Sequence, residues 1–243
     1  MKQSIRKILN ATGFDIVKIK NQHGSFEQHL KQIFLYKNIE CVIDVGANSG
    51  QYGKFLRSLG FNGWIVSFEP VKLVYDKLVE AAKGDDKWLC YHLALGDKNE
   101  TKVLNVYSST VFSSFLEANE YSKKIWNSLE NVTHQEVSVA RLDDIFPEIY
   151  EKTACNNYYL KLDTQGYDLN VFHGGLASLT KVNALQTELS LIHVYKNMIS
   201  PYEILNEFHA HDYFISGMYP INRDKSLAVI EYDCVLVKRT TAK

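Results

Sequence analysis

The sequence predicts an α/β fold: a mostly parallel, seven-stranded sheet with helices on both faces, closed by an antiparallel C-terminal hairpin. Three observations carry this expectation. From Cys41 onward, short apolar strand patterns alternate with amphipathic helical ones, as crossover helices between parallel strands require. A glycine-rich segment, Asp44-Val-Gly-Ala-Asn-Ser-Gly50, falls where the first strand should turn into the helix that follows. The last two strand patterns, 213–219 and 231–238, have no helix between them and should pair with each other.

The elements follow in order. Residues 1–38 read as a helical extension, and 39–243 as one domain. Within the extension, Ser25-Phe-Glu-Gln28 fits a capping box, with Leu30, Ile33 and Phe34 on one face behind it. Cys41–Val45 is a short buried strand, 49–59 a helix, and Trp64–Phe68 a second strand. Residues 71–83 place Val71, Val74, Tyr75, Leu78, Val79 and Ala82 on one helical face. Residues 88–95 read as a third strand. Strand-like pieces at 102–107 and 136–140 then flank a polar interval. The alternation resumes with a strand at 158–163, a helix at 168–179 and a strand at 184–192. Ser200-Pro-Tyr-Glu203 opens a helix that runs to about 210, with Pro at its first position.

Composition sets limits. The 243 residues carry 27 Lys+Arg against 28 Asp+Glu, a formal net charge of −1. Such a balance supplies no field for a nucleic-acid backbone or an anionic membrane through charge alone, although a local basic patch stays open; no nucleic acid and no membrane span are expected. Apolar residues at 46% and charged residues at 23% are a globular mixture. No run approaches the roughly 20 apolar residues that span a bilayer, and the first residues lack the apolar core of a signal peptide. Cys41, Cys90, Cys155 and Cys234 form no CxxC and no zinc-type spacing. Buried free thiols in a reducing, cytoplasmic compartment are expected. With Tyr at 15 and Phe at 12, aromatic surface for a homodimer is available, though no feature places it.

The glycine-rich turn carries the chemistry. Gly46 and Gly50 let the backbone bend sharply and approach a ligand, and Asn48 or Ser49 can cap the following helix. The dinucleotide pattern G-x-G-x-x-G fails, because Asn48 stands where its second glycine admits a pyrophosphate. The phosphate-loop pattern fails too, since Gly53-Lys54 is followed by Phe55. Asp44 would repel a pyrophosphate and suits a cationic or amino-bearing ligand. Glu69, 19 residues after Gly50, ends the second strand and can accept both hydroxyls of a ribose. Together these features favour S-adenosylmethionine over NAD. A turn that binds nothing is the alternative.

An ordered set of segments extends the signal. Val42-Ile-Asp-Val-Gly-Ala-Asn-Ser-Gly50 is followed by Ser67-Phe-Glu-Pro70, Leu93-Ala-Leu-Gly-Asp97, Ser113-Ser114 and Val139-Ala-Arg-Leu-Asp-Asp144. Lys161-Leu-Asp-Thr-Gln-Gly166, Thr187-Glu-Leu-Ser-Leu191, Val194-Tyr195, Arg223-Asp224 and Tyr232-Asp-Cys-Val-Leu-Val237 complete it. The set resembles the FkbM-type methyltransferase family over residues 38–238, with the first forty residues outside it. The resemblance implies a class I methyltransferase fold of Rossmann-like type. It also implies S-adenosylmethionine as donor, S-adenosylhomocysteine as product, and O-methylation of a sugar, glycan or natural product. Carried over residue by residue, it implies donor contacts from Asp44, Gly46, Ala47, Asn48, Gly50, Tyr52, Glu69, Pro70, Ala94, Leu95, Ser114, Asp163 and Gln165. One departure is His193, where the related subgroup commonly has Pro.

A hydroxyl acceptor is a weak nucleophile, so a base near the methyl group would help. Asp163, Glu188 and His193 are the catalytic candidates. Asp163 ends the fourth strand of the alternation, with Asp168 the better helix cap. Glu188 lies in an apolar strand, where a Glu is rarely buried without a partner. His193 follows that strand and offers an imidazole near neutral pH. Spacing across two strands does not specify a cation site, so no metal is predicted, although a divalent ion is possible chemically. Tyr195 could position a substrate or simply pack. The interval 108–134, with Tyr107 beside it and Phe112, Phe115, Tyr121 and Trp126 within it, is a candidate acceptor lid or a loop packed onto the core. His134 has no assigned role. Competing readings are a lipid or peptide acceptor, a nicotinamide-dependent oxidoreductase and a non-catalytic Rossmann-like binding module.

Overall fold

The computed structural model describes residues 25–239 and Thr12. The expected extension before Ser25 otherwise lies outside the described residues. Its last part forms helix α1, Phe26–Tyr36. Ser25 occupies the N-cap position, but its hydroxyl makes no cap bond. Packing holds this helix instead: Leu30 and Ile33 are buried against Val42, Leu56, Ile65 and Tyr159.

Seven strands form the main sheet. They are β1 (Cys41–Val45), β2 (Trp64–Phe68), β3 (Trp88–Tyr91), β7 (Tyr158–Leu162), β8 (Val182–Ser190), β9 (Tyr213–Arg223) and β10 (Val229–Lys238). Their order is β3-β2-β1-β7-β8-β10-β9. The first five are parallel; β10 lies antiparallel to both β8 and β9. This is the class I methyltransferase arrangement expected from the alternation and the closing hairpin. Helices α2 (Gln51–Ser58), α3 (Lys72–Ala82), α5 (Leu142–Thr153), α6 (Asp168–His173) and α7 (Pro201–Ala210) surround it, and the short α4 (Glu120–Ile125) lies in the polar interval.

Side-chain alternation sorts the two faces. Cys41, Ile43 and Val45 of β1 join Tyr158, Leu160 and Leu162 of β7 in one core, with Phe172 and Phe208. Val42 and Tyr159 point the other way, into the core that α1, α2 and α3 cover. Asp44 and Lys161 share that second face and are register partners across β1 and β7.

Two expectations are corrected, and one unassigned segment proves helical. The third strand stops at Tyr91. Ala94–Leu95 (β4) instead pairs with β6 (Val132–Ala140), which pairs with β5 (Glu100–Tyr107) in a separate three-stranded sheet. The expected strand pieces at 102–107 and 136–140 are the partners in that sheet.

Between the strand patterns at 136–140 and 158–163 no element is expected, yet helix α5 forms there with Pro147 inside it. A mid-helix proline loses one backbone bond. The loss is outweighed here by burial of Leu142, Phe146 and Ile149 on one face.

The helix expected over 168–179 ends at His173. Gly174 passes so close to another segment that an added Cβ would lie 1.9 Å from the Gly96 carbonyl oxygen. The helix stops at the Gly174-Gly175 pair, where low helix propensity and the close approach of Gly96 coincide.

Gly174→Ala should therefore overpack this crossing and destabilise the protein by about 1–3 kcal/mol. A drop of several degrees in Tm by thermal unfolding is the expected reading; an unchanged Tm would mean the crossing is loose.

Candidate active site

The site forms where the strands end. Gly46 follows β1 with φ +81°, and a Cβ there would lie 2.0 Å from the Asp163 carbonyl oxygen. The ends of β1 and β7 thus meet only because residue 46 has no side chain. Asp163 N–H donates to the Val45 carbonyl at 3.0 Å, and the N–H groups of Gly46 and Ala47 both donate to Phe68 O. The turn is tied to β7 on one side and β2 on the other. It borders a cavity of about 510 Å³ at the carboxyl ends of the strands, the usual ligand position in an open parallel sheet.

Glu69 is the fixed acid on the β2 side. Its Oε2 accepts from Asn48 N–H at 3.0 Å and its Oε1 from Val71 N–H at 2.8 Å. Each oxygen keeps a second lone pair for a ligand. Burial pushes the Glu69 carboxyl up to about 7; the two N–H donors oppose this, and the Asp44 charge adds to it.

Lys161 is the buried cation. Its Nζ lies 3.0 Å from Asp163 Oδ2 and 3.3 Å from Asp44 Oδ1, and 4.8 Å from the centre of the Tyr52 ring. Burial alone would lower the ammonium, but the carboxylates of Asp163 and Asp44 outweigh it and hold the group above its ordinary value. Burial raises Asp44, while Lys161 pulls it back.

Tyr52 donates to Gln186 Oε1 at 2.8 Å, and Gln186 Nε2 donates to Asp233 Oδ1 at 2.7 Å. One polar chain thus runs from the glycine turn to the closing hairpin.

Gln165 spans the other wall. It has φ +54°. Its Nε2 donates to Asp163 Oδ1 at 3.1 Å and approaches Glu188 Oε2 at 3.4 Å. Tyr195 hydroxyl lies 2.8 Å from Gln165 Oε1 and 2.9 Å from Phe112 O, so its single proton is shared between two acceptors. Ser114 Oγ donates to Gln165 O at 2.7 Å. Asp168 accepts from Thr164 N–H and from the Thr164 and Thr187 hydroxyls, so it organises this loop from below. Burial, then the Asp163, Glu231 and Asp233 carboxylates, drives Glu188 well above its ordinary range.

Gly46, Ala47, Asn48, Tyr52, Glu69, Pro70, Ala94, Leu95, Asp163, Gln165 and Glu188 all border the cavity. Other candidates stand apart from it. Asp44 is fully buried behind the turn, on Lys161. Gly50, at φ +84°, caps α2 in left-handed geometry, so neither Asn48 nor Ser49 caps that helix.

Ser114 spends its hydroxyl on Gln165 O and on Leu116 N–H. Neighbouring Ser113 lines the cavity, and its buried Oγ has no hydrogen-bond partner among the described residues.

His193 is not brought to the cavity. Val194 and Tyr195 turn inward, which leaves His193 exposed, with its carbonyl accepting from Asn119 Nδ2.

The interval 108–134 divides. Tyr107 and Tyr195 pack with Ala118, Leu129 and Ile230, and Phe112 and Trp126 lie against that cluster. Thr110, Val111, Ser113 and Phe115 reach the cavity. Asn48 Nδ2 donates to Thr110 Oγ1 at 3.1 Å, which ties the insert to the glycine turn.

Lys161, Gln186 and Asp233 were missed as site residues. The argument that singled out Glu188, a charge in an apolar strand, applies equally to Lys161 and Asp233. Phe26 and Phe55 gave no such signal, because Phe26 falls within a capping box and Phe55 among the apolar positions of a helix.

The sequence profile described as "Methyltransferase FkbM domain" matches residues 44–215, more than half of the chain. The chain belongs to the FkbM methyltransferase family. Its reaction class is therefore S-adenosylmethionine-dependent methyl transfer.

Among solved structures, this FkbM chain is similar to an uncharacterized protein from Listeria monocytogenes serotype 4b. Identity is 10%, 91% of this chain and 70% of that chain are covered, and the TM-score is 0.49. A putative tRNA (m1A22) methyltransferase of Streptococcus pneumoniae, in complex with S-adenosyl-L-methionine, has 11% identity, coverage of 88% and 75%, and a TM-score of 0.47. Magnesium protoporphyrin IX methyltransferase from Synechocystis PCC 6803, with bound donor, has 11% identity, coverage of 98% and 97%, and a TM-score of 0.46. No curated protein matches the chain. The family rests on the profile and the fold on the strand order.

Among the described residues, no group of three or more His, Cys, Asp or Glu is arranged to hold a metal ion. None of the described helices is long and apolar enough to cross a membrane.

Two outcomes follow from the electrostatics. Lys161→Met leaves Asp44 buried without its counter-charge, so a loss of about 3–5 kcal/mol is expected. Thermal unfolding should show Tm lower by about 10 °C. Glu69 must be ionised to accept from a ribose while holding two N–H groups. Affinity for S-adenosylhomocysteine should therefore rise from pH 6 to pH 8, by up to about tenfold per unit below its inflection near 7. Calorimetry across pH checks this, and Glu69→Ala should lack that inflection.

Proposed function

We propose that the protein is an S-adenosylmethionine-dependent O-methyltransferase acting on a hydroxyl of a sugar, glycan or natural product. The observation that carries the donor assignment is Glu69, held by the N–H groups of Asn48 and Val71 at the edge of the cavity. The donor would supply the electrophilic methyl group. Free lone pairs of Glu69 suit the ribose hydroxyls. Pro70, Ala94 and Leu95, with the unpartnered Ser113 hydroxyl nearby, suit the adenine end. The turn at Gly46–Asn48 and the carboxyl of Asp163 suit the amino-acid end, where an ammonium group needs an acceptor.

Asp163 lines the cavity and is steered by both Lys161 and Gln165. It is the proposed contact between donor and acceptor. Glu188 borders the same space. Burial and the neighbouring Asp163 carboxylate shift its carboxyl upward, and Gln165 Nε2 approaches its Oε2. His193 is dropped from the proposed machinery on geometry. Positioning and exclusion of water then supply most of the acceleration.

Calorimetry with S-adenosylmethionine, S-adenosylhomocysteine and NAD tests the donor. Both adenosyl ligands should bind, and Glu69→Ala should weaken them at least tenfold. NAD binding without adenosyl binding would overturn the assignment. Labelled methyl transfer to a panel of sugar and natural-product alcohols tests the acceptor. Asp163→Ala should depress that transfer by more than tenfold.

A further inference from the structure

Strand order divides the cavity into two halves. Glu69, Pro70 and Ala94 lie toward β2 and β3, on one side of β1. Gln186, Glu188 and Asp233 lie toward β8 and β10, on the other. The first half holds the groups proposed for ribose and adenine. The second half has a wall that this donor placement leaves unused.

That wall is Phe26 at the start of α1, Phe55 in α2 and Ile221 in β9. The Phe26 and Phe55 rings stack with centroids 6.0 Å apart and planes 5° apart. Tyr219 meets Phe26 edge-on at 5.2 Å. The wall is anchored. Leu30 and Ile33 bury α1 in the core, and His29 Nε2 is hydrogen-bonded to Ser216 Oγ of β9 at 2.8 Å.

Charge narrows what can enter. Lys161 is the one cation among the described residues on the cavity, and its two close charged neighbours are carboxylates. A phosphate or carboxylate placed beside Glu188 and Asp233 would meet repulsion with no free counter-ion. An alcohol can hydrogen-bond there, and an amine can pair there and lie against the ring faces.

We infer that this half is an acceptor subsite for a neutral or amine-bearing molecule that sets a flat apolar face against Phe26 and Phe55. The inference rests on the proposed donor placement and goes beyond it. It makes Phe26 a specificity residue, from a segment outside the 44–215 family match.

Three small probes share one phenyl ring and differ in charge: 2-phenylethanol, phenethylamine and phenylacetate. Saturation-transfer NMR on protein loaded with S-adenosylhomocysteine should show ring contact for the first two. Phenylacetate should bind at least tenfold more weakly. Phe26→Ala should reduce binding of the first two at least fivefold, while calorimetry finds S-adenosylhomocysteine affinity within twofold of wild type. Phe55→Ala, on the other face of the stack, should act in the same direction. Phenylacetate binding as well as phenethylamine would overturn the inference. So would an unchanged signal in both variants, a loss of S-adenosylhomocysteine binding in Phe26→Ala, or no ring contact from any probe. If wild-type protein fails to bind S-adenosylhomocysteine at all, the donor placement fails first, and the acceptor inference falls with it.

Discussion

A lysine inside the sheet is the constraint on which the site depends. Lys161 stands in a fully buried strand and is register partner to Asp44, itself fully buried. Neither charge could be carried alone at that depth. With Asp163 added two residues on, the group has two carboxylates around one ammonium. The excess negative charge faces the cavity. A ligand with an ammonium or sulfonium group would relieve it, and one with a pyrophosphate would aggravate it. Charge selection at the mouth of β1 and β7 is thus a consequence of how the two central strands are held in register.

The rest of the site is arranged around this triad by neutral groups. Gln165 and Gln186 each touch a carboxylate with the amide nitrogen while a tyrosine hydroxyl lies against the amide oxygen. Such pairs orient acids without neutralising them. The insert after β5 takes part through Ser114, whose hydroxyl grips the Gln165 backbone, and through Thr110, which holds Asn48. It is therefore a brace between two binding loops as much as a cover. Its aromatic residues mostly serve its own attachment.

Legibility followed the range of the forces involved. β1 and β2 could be read to the residue, because buried strands of an open sheet are written as continuous apolar runs bounded by turn residues. Glu69 and the glycine turn were equally plain, being local. The departure of Ala94–Leu95 into a second sheet was not, since partner choice for a two-residue strand depends on a segment some forty residues later. Helix α5, with Pro147 inside it, is unassigned in the sequence, and the end of α6 at Gly174-Gly175 is overrun by the apolar spacing of Leu176 and Leu179. Ser113 and Ser114 could not be told apart by spacing; hydrogen bonding separates them. The inward turn of Tyr195 and outward turn of His193 likewise belong to tertiary packing.

The order of the last two strands has a consequence for synthesis. β10 is made after β9 yet lies between β9 and β8, so β9 has no place in the sheet until β10 arrives. Asp233 and Ile221, which border the cavity, come from those strands, while Phe26 comes from the other end of the described chain. A nascent chain leaving the ribosome could close the glycine turn against β2 and β7 early. Its second cavity wall would have to wait for a single late event, the insertion of one strand between a seated neighbour and an unseated one. During that interval the exposed edge of β8 is the point at which a folding chain is most open to a wrong partner.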